Sequence, residues 1–316
     1  MLSPKVSFVL INLNQEEHTR ECIKSLQRLS YQNVEIVLVD NASLDDSGVR
    51  LHQQFPLIVY IQNEKNLGFA EGNNVGIRSA LQRNADYIVL LNNDTIVERD
   101  FIQPLVDVAS SDNTVGVQCC KIYLFSDLNK LWYAGGVLDV HKAHAWHRGL
   151  FEVDDGKYDK IEETGFASGC MMFMPRSVVE RVGLLDSSFY IYFEDSDWCM
   201  RAQKMGYKIL YNPNAKLWHK THVTTGHDSP FYLYFTLRNK ILFLHKHSRP
   251  SKWLIHLPYF IYFYLRQIVR MSLKWHSIIG TRAVIAGLFD GLRNFTGEYG
   301  EGRFPQLFGK KQAKKS

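Results

Sequence analysis

The chain of 316 residues has only five cysteines, Cys22, Cys119, Cys120, Cys170 and Cys199, an odd number with no CxxC pair. That argues against a disulfide framework or a zinc module and fits a reducing compartment. No GxGxxG follows the first apolar run and no GxxxxGK[ST] occurs, so neither a dinucleotide Rossmann site nor a Walker-type NTPase is supported. The longest aromatic-rich run without a charge, Trp253 to Leu265, falls short of the roughly 20 residues that cross a bilayer. The N-terminus has no basic segment, apolar core and cleavage site of a secretory signal. Acid is scarce toward the C-terminus. Residues 226–316 hold 4 Asp+Glu against 15 Lys+Arg, net +11, while residues 1–225 hold 28 against 22, net −6. What is present suits a folded protein: 46% hydrophobic and 22% charged residues support a sizeable core, and the length suits about two domains.

The basic C-terminal quarter points to an anionic partner. Its run Trp253–Leu265 and the spacing of Arg266, Arg270 and Lys274 at i, i+4 and i+8 form the pattern of a helix lying in a membrane interface. A packed C-terminal helix with solvated charges is the alternative, and so aromatic a run has no need of nucleic acid. The tail 309–316 reads as disordered.

The first half alternates short apolar runs with amphipathic ones. Strands are expected at Val6–Ile11, Val34–Val39, Leu57–Ile61, Tyr87–Leu91 and Val115–Lys121. Helices are expected at Glu17–Leu29, Ser47–Phe55, Ala70–Gln82 and Phe101–Ala109. Continuous Val/Ile/Leu strands between helices predict an α/β fold with a mostly parallel sheet covered on both faces. Residues 122–164 read as irregular. A strand at Cys170–Met174, helices at Arg176–Val182 and Asp195–Met205, and a strand at Lys208–Tyr211 follow.

In such sheets ligands bind beyond the carboxyl ends of the strands. Those ends read Asn12-Leu13-Asn14, Asp40-Asn41-Ala42-Ser43, Asn63 with Asn66 to Asn74, and Asn92-Asn93-Asp94. Each alone suits a turn or cap; four on one edge point to a polar ligand. Gly68–Gly72 opens a helix and either approaches phosphate or sugar or is a plain helix entry. Asp94 is a candidate ligand for a hard cation. Glu194, Asp195 and Asp197 crowd a helix start, where capping explains one or two of them and mutual pKa shifts supply a base. His219 and His222 lie near the same edge.

Taken in order, VSFVLINLN (6–14), VDNAS (39–43), NLGFAEGNN (66–74), LLNNDT (90–95), FASGCMMFMPR (166–176), VGLLDSSFYIYFEDSDWCMR (182–201), LWHKTHVTTG (217–226) and YFTLRN (234–239) resemble the inverting family 2 glycosyltransferases of the GT-A fold. The resemblance is to the bacterial rhamnosyltransferase-like branch. It covers roughly residues 5–245 and implies a GT-A domain over 1–225, with a donor half to about 121 and a catalytic half from 122; the basic, aromatic-rich region at 226–316 is expected from its composition to be helical and membrane-associating. The resemblance implies that Asp40 hydrogen-bonds the base of a nucleotide-diphosphate sugar, dTDP-rhamnose or a UDP-sugar, walled by Leu10 and Asn12. Asn14, Ser43, Asn66, Gly68, Asn73, Asn92 and Asn93 complete the nucleotide side.

The resemblance further implies that Asp94, the last acid of the Asp-x-Asp motif, holds Mg²⁺ or Mn²⁺ with His219. The motif's first acid is Asn92 here. Asp195 matches the catalytic base and Glu194 orients acceptor or base. Ser168, Gly169, Asp197, Trp198 and Arg238 are candidates for acceptor or phosphate. The acceptor implied is a saccharide or a polyprenyl-linked one, met at the inner face of the cell membrane by a cytoplasmic, peripherally attached enzyme; a homodimer stays open. The Gln-x-x-Arg-Trp motif of processive synthases is absent. Two rival readings are a nucleotidyltransferase, which needs a basic Gly-rich loop after the first strand, and a noncatalytic sugar-nucleotide-binding membrane scaffold.

Overall fold

A computed structural model describes residues 3–221, 229–274 and 277–298. The expected alternation is present. β1 (Val6–Asn12), α1 (Glu16–Leu26), β2 (Val34–Asp40), α2 (Ser47–Gln54), β3 (Val59–Gln62), α3 (Gly68–Gln82) and β4 (Tyr87–Leu91) follow one another. Then come β5 (Thr95–Val97), α4 (Gln103–Ser111), β6 (Val115–Leu124), β7 (Asp127–Tyr133), β8 (Gly136–Asp139), β9 (His144–His147), β10 (Glu162–Glu163), β11 (Met171–Pro175), α5 (Arg176–Val182), α6 (Glu194–Lys204) and β12 (Lys208–His219).

The main sheet runs β10-β12-β6-β11-β4-β1-β2-β3, with β5 on β12 and β7 on β6. β1 is parallel to β2 and β4, β2 to β3, and β12 to β6, while β11 is antiparallel to both its neighbours. Every residue of β4 and β6 is buried, as strands covered on both faces require. The core includes Phe8, Leu38, Val89, Val117, Phe173 and Leu217.

Residues 122–164 are not irregular: they hold the end of β6 and all of β7 to β10. These strands are short, and β7 carries polar Asp127, Asn129 and Lys130, so cross-strand pairing rather than local pattern defines them. β12 runs past Tyr211 to His219 through a register shift between Asn212 and Lys216, a bulge that admits Pro213. β5, three residues long, has no sequence signal and exists by pairing with β12.

The residues divide into two compact units, one of 1–138, 145–186 and 194–221, the other of 139–144, 187–193 and 222–316. The second thus takes two short segments expected in the first. It contains α7 (Pro230–His247), α8 (Pro250–Val269), a π-helical turn at Arg270–Lys274, and α9 (Ile278–Leu292). Ser229 and Ser277 cap α7 and α9 by accepting from Tyr232 N (3.1 Å) and Gly280 N (2.9 Å). The two helices cross closely: a Cβ on Gly287 would come within 2.8 Å of Tyr234 O, and one on Gly291 within 2.9 Å of Ile241.

Ile255, Tyr262, Leu265 and Val269 of α8 are exposed along one face, with Tyr264 and Met271 buried opposite. Arg266 is exposed and Arg270 half-buried, but the π turn interrupts the expected straight stripe. The side chains of Trp253 and Lys274, together with His222 and the tail 309–316, lie outside the described residues. No helix among the described residues is long and apolar enough to cross a membrane.

Candidate functional site

Register sets the first edge of the site. Asn12 pairs with Asp40 and Asp40 with Gln62, so three strand-terminal side chains stand in a row. Asp40 is buried. Its Oδ1 accepts from Ser43 N (2.8 Å) and Gln62 Nε2 (2.9 Å), its Oδ2 from Asn12 Nδ2 (2.8 Å) and the Ser43 hydroxyl (2.7 Å). A carboxylate offers about four acceptor positions, so the protein fills all of them. A base therefore reaches Asp40 only by replacing one of these donors, a condition the sequence reading did not foresee.

Buried Asn12 also donates to Ser47 Oγ (2.8 Å) and accepts from Thr19 Oγ1 (2.9 Å). Asn14, in the left-handed region at φ 53°, donates its N–H to Ser43 Oγ (2.9 Å) and accepts from Leu44 N (2.7 Å). Asn41 donates to Asn66 Oδ1 (2.9 Å) and Gly68 O (3.1 Å) and accepts from Leu67 N (3.0 Å). Asn66 accepts from Gly68 N (2.9 Å), and Gly68 takes the φ of 76° that opens α3, a conformation glycine adopts without strain.

Asn12, Asn14, Asp40, Ser43, Asn66 and Gly68 are thus brought together as expected. Two others are not. Leu10 is wholly buried in the core and cannot wall a base, and buried Asn73 donates back to Phe69 O (2.9 Å) within α3.

The second edge forms where β4, β5, β11 and β12 meet. Leu91 pairs with Met171, Asn92 N donates to Cys170 O (2.9 Å), and Thr95 pairs with His219. Asp94 and His219 are both buried and form an ion pair, with Oδ1 and Nε2 at 3.1 Å; beyond that pair Asp94 Oδ1 has no hydrogen-bond partner among the described residues. Burial opposes the charge on each. The His219 imidazole nevertheless lowers the Asp94 pKa, while Cys170 and Asp94 hold His219 up at about 10. Trp132 packs edge-on against the imidazole at 4.5 Å. Asn93 donates to Thr19 Oγ1 (2.7 Å), so one hydroxyl touches both edges. The side chain of Asn92 is half-buried.

An unsatisfied buried carboxylate oxygen beside an imidazole fits a hard divalent cation that takes few protein ligands and completes its shell from phosphate oxygens and water. No cluster of three such side chains exists among the described residues.

The third component is the start of α6. Asp195 is half-buried; Oδ2 accepts from Gly169 N (2.9 Å) and Oδ1 from Ser196 N (2.5 Å) and Ser196 Oγ (3.1 Å). Three donors leave one acceptor position open, on Oδ2. Burial raises its pKa against the pull of those hydrogen bonds. Glu194 is buried with Oε2 unsatisfied among the described residues, and burial and the Asp195 charge push it well above the usual carboxylate range. Both adjacent acids are thus raised, Glu194 the more strongly.

Four acceptor or phosphate candidates are corrected by their burial. Asp197 is paired with Arg201 Nε (2.9 Å), whose other nitrogens donate to Val182 O and Leu184 O (both 2.7 Å). Trp198 donates to Gly183 O (2.8 Å), and both Asp197 and Trp198 are buried. Ser168 is buried and braces its own turn by accepting from Cys170 N (3.3 Å). In the second unit, fully buried Arg238 donates to Asn239 Oδ1 (2.9 Å), Gly297 O (2.7 Å) and Phe189 O (2.9 Å), so its guanidinium is not offered to a phosphate. Gly169 is in place, but toward Asp195.

Asn41, Thr19, Gln62 and Trp132 escaped the sequence reading. Asn41 alone had a signal, its place directly after Asp40 at a strand end.

The model of Glycosyl transferase family 2 matches residues 7–183. The low-salt glycan biosynthesis hexosyltransferase Agl10 of Haloferax volcanii is 27% identical over 93% of this chain and 92% of its own. The dTDP-rhamnosyl transferase RfbF of Shigella flexneri is 25% identical over 94% and 98%. The N-acetylglucosaminyl-diphospho-decaprenol L-rhamnosyltransferase of Mycobacterium tuberculosis is 23% identical over 78% and 87%. Among solved structures, the mannosyltransferase PcManGT of Pyrobaculum calidifontis, in complex with GDP-Man and Mn²⁺, aligns at TM-score 0.56 and 17% identity over 93% of this chain and 76% of that one. GalNAc-T7 with UDP, GalNAc and Mn²⁺ aligns at 0.59 and 16% over 79% and 55%. At these identities the two structures speak to fold alone.

Proposed function

The chain belongs to glycosyl transferase family 2, a glycosyltransferase of GT-A fold, and on that premise we propose that it transfers a hexosyl group, rhamnose by preference, with inversion. The donor is a nucleoside-diphosphate sugar, and the acceptor a hydroxyl of a saccharide or lipid-linked saccharide in cell-surface polysaccharide synthesis. The observation that carries this reading is Asp195, with a raised pKa and one acceptor position left open beside Gly169.

Oδ2 of Asp195 takes the proton from the acceptor hydroxyl as that oxygen attacks the anomeric carbon. The bond from carbon to the diphosphate oxygen breaks on the opposite face, and its electron pair leaves with the diphosphate. Neutral Glu194 keeps a second negative charge away from Asp195. Asp94 and His219 are the residues that would hold a divalent cation, with Asn92 offering its amide to the same region. Such a cation neutralises the charge that develops on the leaving diphosphate.

The test is Asp195→Asn, which keeps the shape and removes the base. Turnover should fall by about 10²–10⁴, with nucleotide affinity kept. Near-normal turnover would sink the assignment, and a scaffold without activity would show no turnover in the parent protein either.

We also infer attachment to an anionic membrane through the second unit. Its support is the exposed apolar face of Ile255, Tyr262, Leu265 and Val269, with Arg266 exposed beside it, in a C-terminal quarter of net charge +11. Full-length protein should sediment with vesicles containing anionic lipid and be only partly released by salt, since the apolar contribution is not screened. Protein left in the supernatant at low salt would refute this.

A further inference from the structure

Asp40 is saturated, yet one of its four donors differs from the rest. Ser43 N is backbone. Asn12 is buried and held at the same time by Ser47 and Thr19. The Ser43 hydroxyl is fixed by accepting from Asn14 N (2.9 Å). Gln62 is exposed, the last residue of β3, and reaches Asp40 Oδ1 by its Nε2 at 2.9 Å. Its other contacts are light ones at the surface: Nε2 donates to Asn63 O (3.2 Å) and Oε1 accepts from the Tyr60 hydroxyl.

The opposite side of the carboxylate is closed. A Cβ on Gly48 would lie 2.3 Å from Asp40 Oδ2, so α2 is packed directly against it and Asp40 has no room to withdraw. Any ligand that hydrogen-bonds Asp40 must arrive from the side of Gln62 and take its place.

We propose that Gln62 is a displaceable stand-in for the donor's base: its amide N–H occupies on Asp40 Oδ1 the position that a ring N–H of the base takes, and it must swing out for the nucleotide to bind. This rests on the reading of Asp40 as the base-binding residue. An amide N–H beside a carbonyl copies the imide edge of uracil or thymine, and a ring N–H is also present in guanine. Cytosine and adenine present a ring acceptor there, which an ionised carboxylate repels. Gln62 therefore competes equally with every base that carries a ring N–H and lowers the affinity for all of them, while the choice against cytosine and adenine lies with the Asp40 carboxylate.

The experiment is calorimetric titration of full-length protein with UDP, dTDP and CDP in the presence of Mn²⁺, comparing the parent with Gln62→Ala and Asp40→Asn. Gln62 is exposed, so its truncation leaves the core intact. Gln62→Ala should bind UDP and dTDP on the order of three- to tenfold more tightly, the size of one net hydrogen bond, with CDP unchanged. Unchanged or weaker UDP and dTDP binding overturns the proposal, as does an equal gain for CDP. Asp40→Asn separates the two failures. If it weakens UDP binding while Gln62→Ala has no effect, only the stand-in role falls; if Asp40→Asn leaves UDP binding intact, the base-binding reading itself falls.

Discussion

Two edges of one sheet carry the polar residues of this enzyme, and they are built in opposite ways. Along Asn12, Asp40, Asn41 and Ser43 the polar atoms meet partners, and Asp40 is filled to capacity by four donors. Around Asp94, Glu194 and Asp195 the same residue types are left short: Asp94 Oδ1 and Glu194 Oε2 are unsatisfied among the described residues, and Asp195 Oδ2 has a position open. A satisfied buried network holds loops in place, whereas an unsatisfied buried carboxylate costs stability. Perturbed, under-satisfied acids in one region are the mark of chemistry rather than scaffold. Residue type does not separate the two regions, since both are rich in short polar and acidic side chains.

The contrast breaks most visibly at Asp94. Asp94→Ala should slow transfer by on the order of 10²–10³ at a Mn²⁺ concentration that saturates the parent enzyme, the equivalent of losing several kcal/mol of charge stabilisation. Rates measured across a Mn²⁺ series should show a raised metal requirement, and full activity under chelation would mark a metal-independent reaction.

At Asp40 the balance should be reversed. Asp40→Ala frees four donors, two of them on buried or backbone groups, and should cost roughly 1–3 kcal/mol of unfolding free energy. Nucleotide binding should be lost with it. Urea unfolding measures the first and titration with UDP the second; an undiminished unfolding midpoint would show that the network is not structural.

The smallest effect belongs to Glu194. Its folded pKa is raised well above 4.5, so the folded state keeps a proton that the unfolded chain releases. Relative to a side chain that does not titrate, stability is therefore fully present below about pH 4.5 and declines as pH rises toward the folded value. Glu194→Gln removes that decline while preserving a neutral, donating shape. It should unfold at the same or a slightly higher temperature at neutral pH, with transfer largely kept. A large loss of transfer would mean that Glu194 works as an ionised group.

Much of this was legible in the residues. The alternation of apolar runs located β1 to β4 and α1 to α4 to within a few positions, because strands covered on both faces are apolar throughout. Asp94, Asp195 and His219 stood out by type and placement. What escaped detection lies where neighbours in space, not in sequence, decide. β5 exists because β12 lies beside it, and β7 to β10 are defined by pairing. Asp197, Trp198, Ser168 and Arg238 resembled site residues until burial showed each one bracing the backbone.

The sequence by itself determined the order of strands and helices, the polar character of the strand ends, the crowding of acids at α6 and the basic C-terminal quarter, all of them consequences of local periodicity and residue type. Only the tertiary structure decided which of the strand-end acids is saturated and which is left open. That depends on register, which sets Asn12 and Gln62 on either side of Asp40, and on the close approach of Gly48 and Gly169, which places the Asp40 carboxylate against a wall and leaves Oδ2 of Asp195, at the start of α6, facing one N–H.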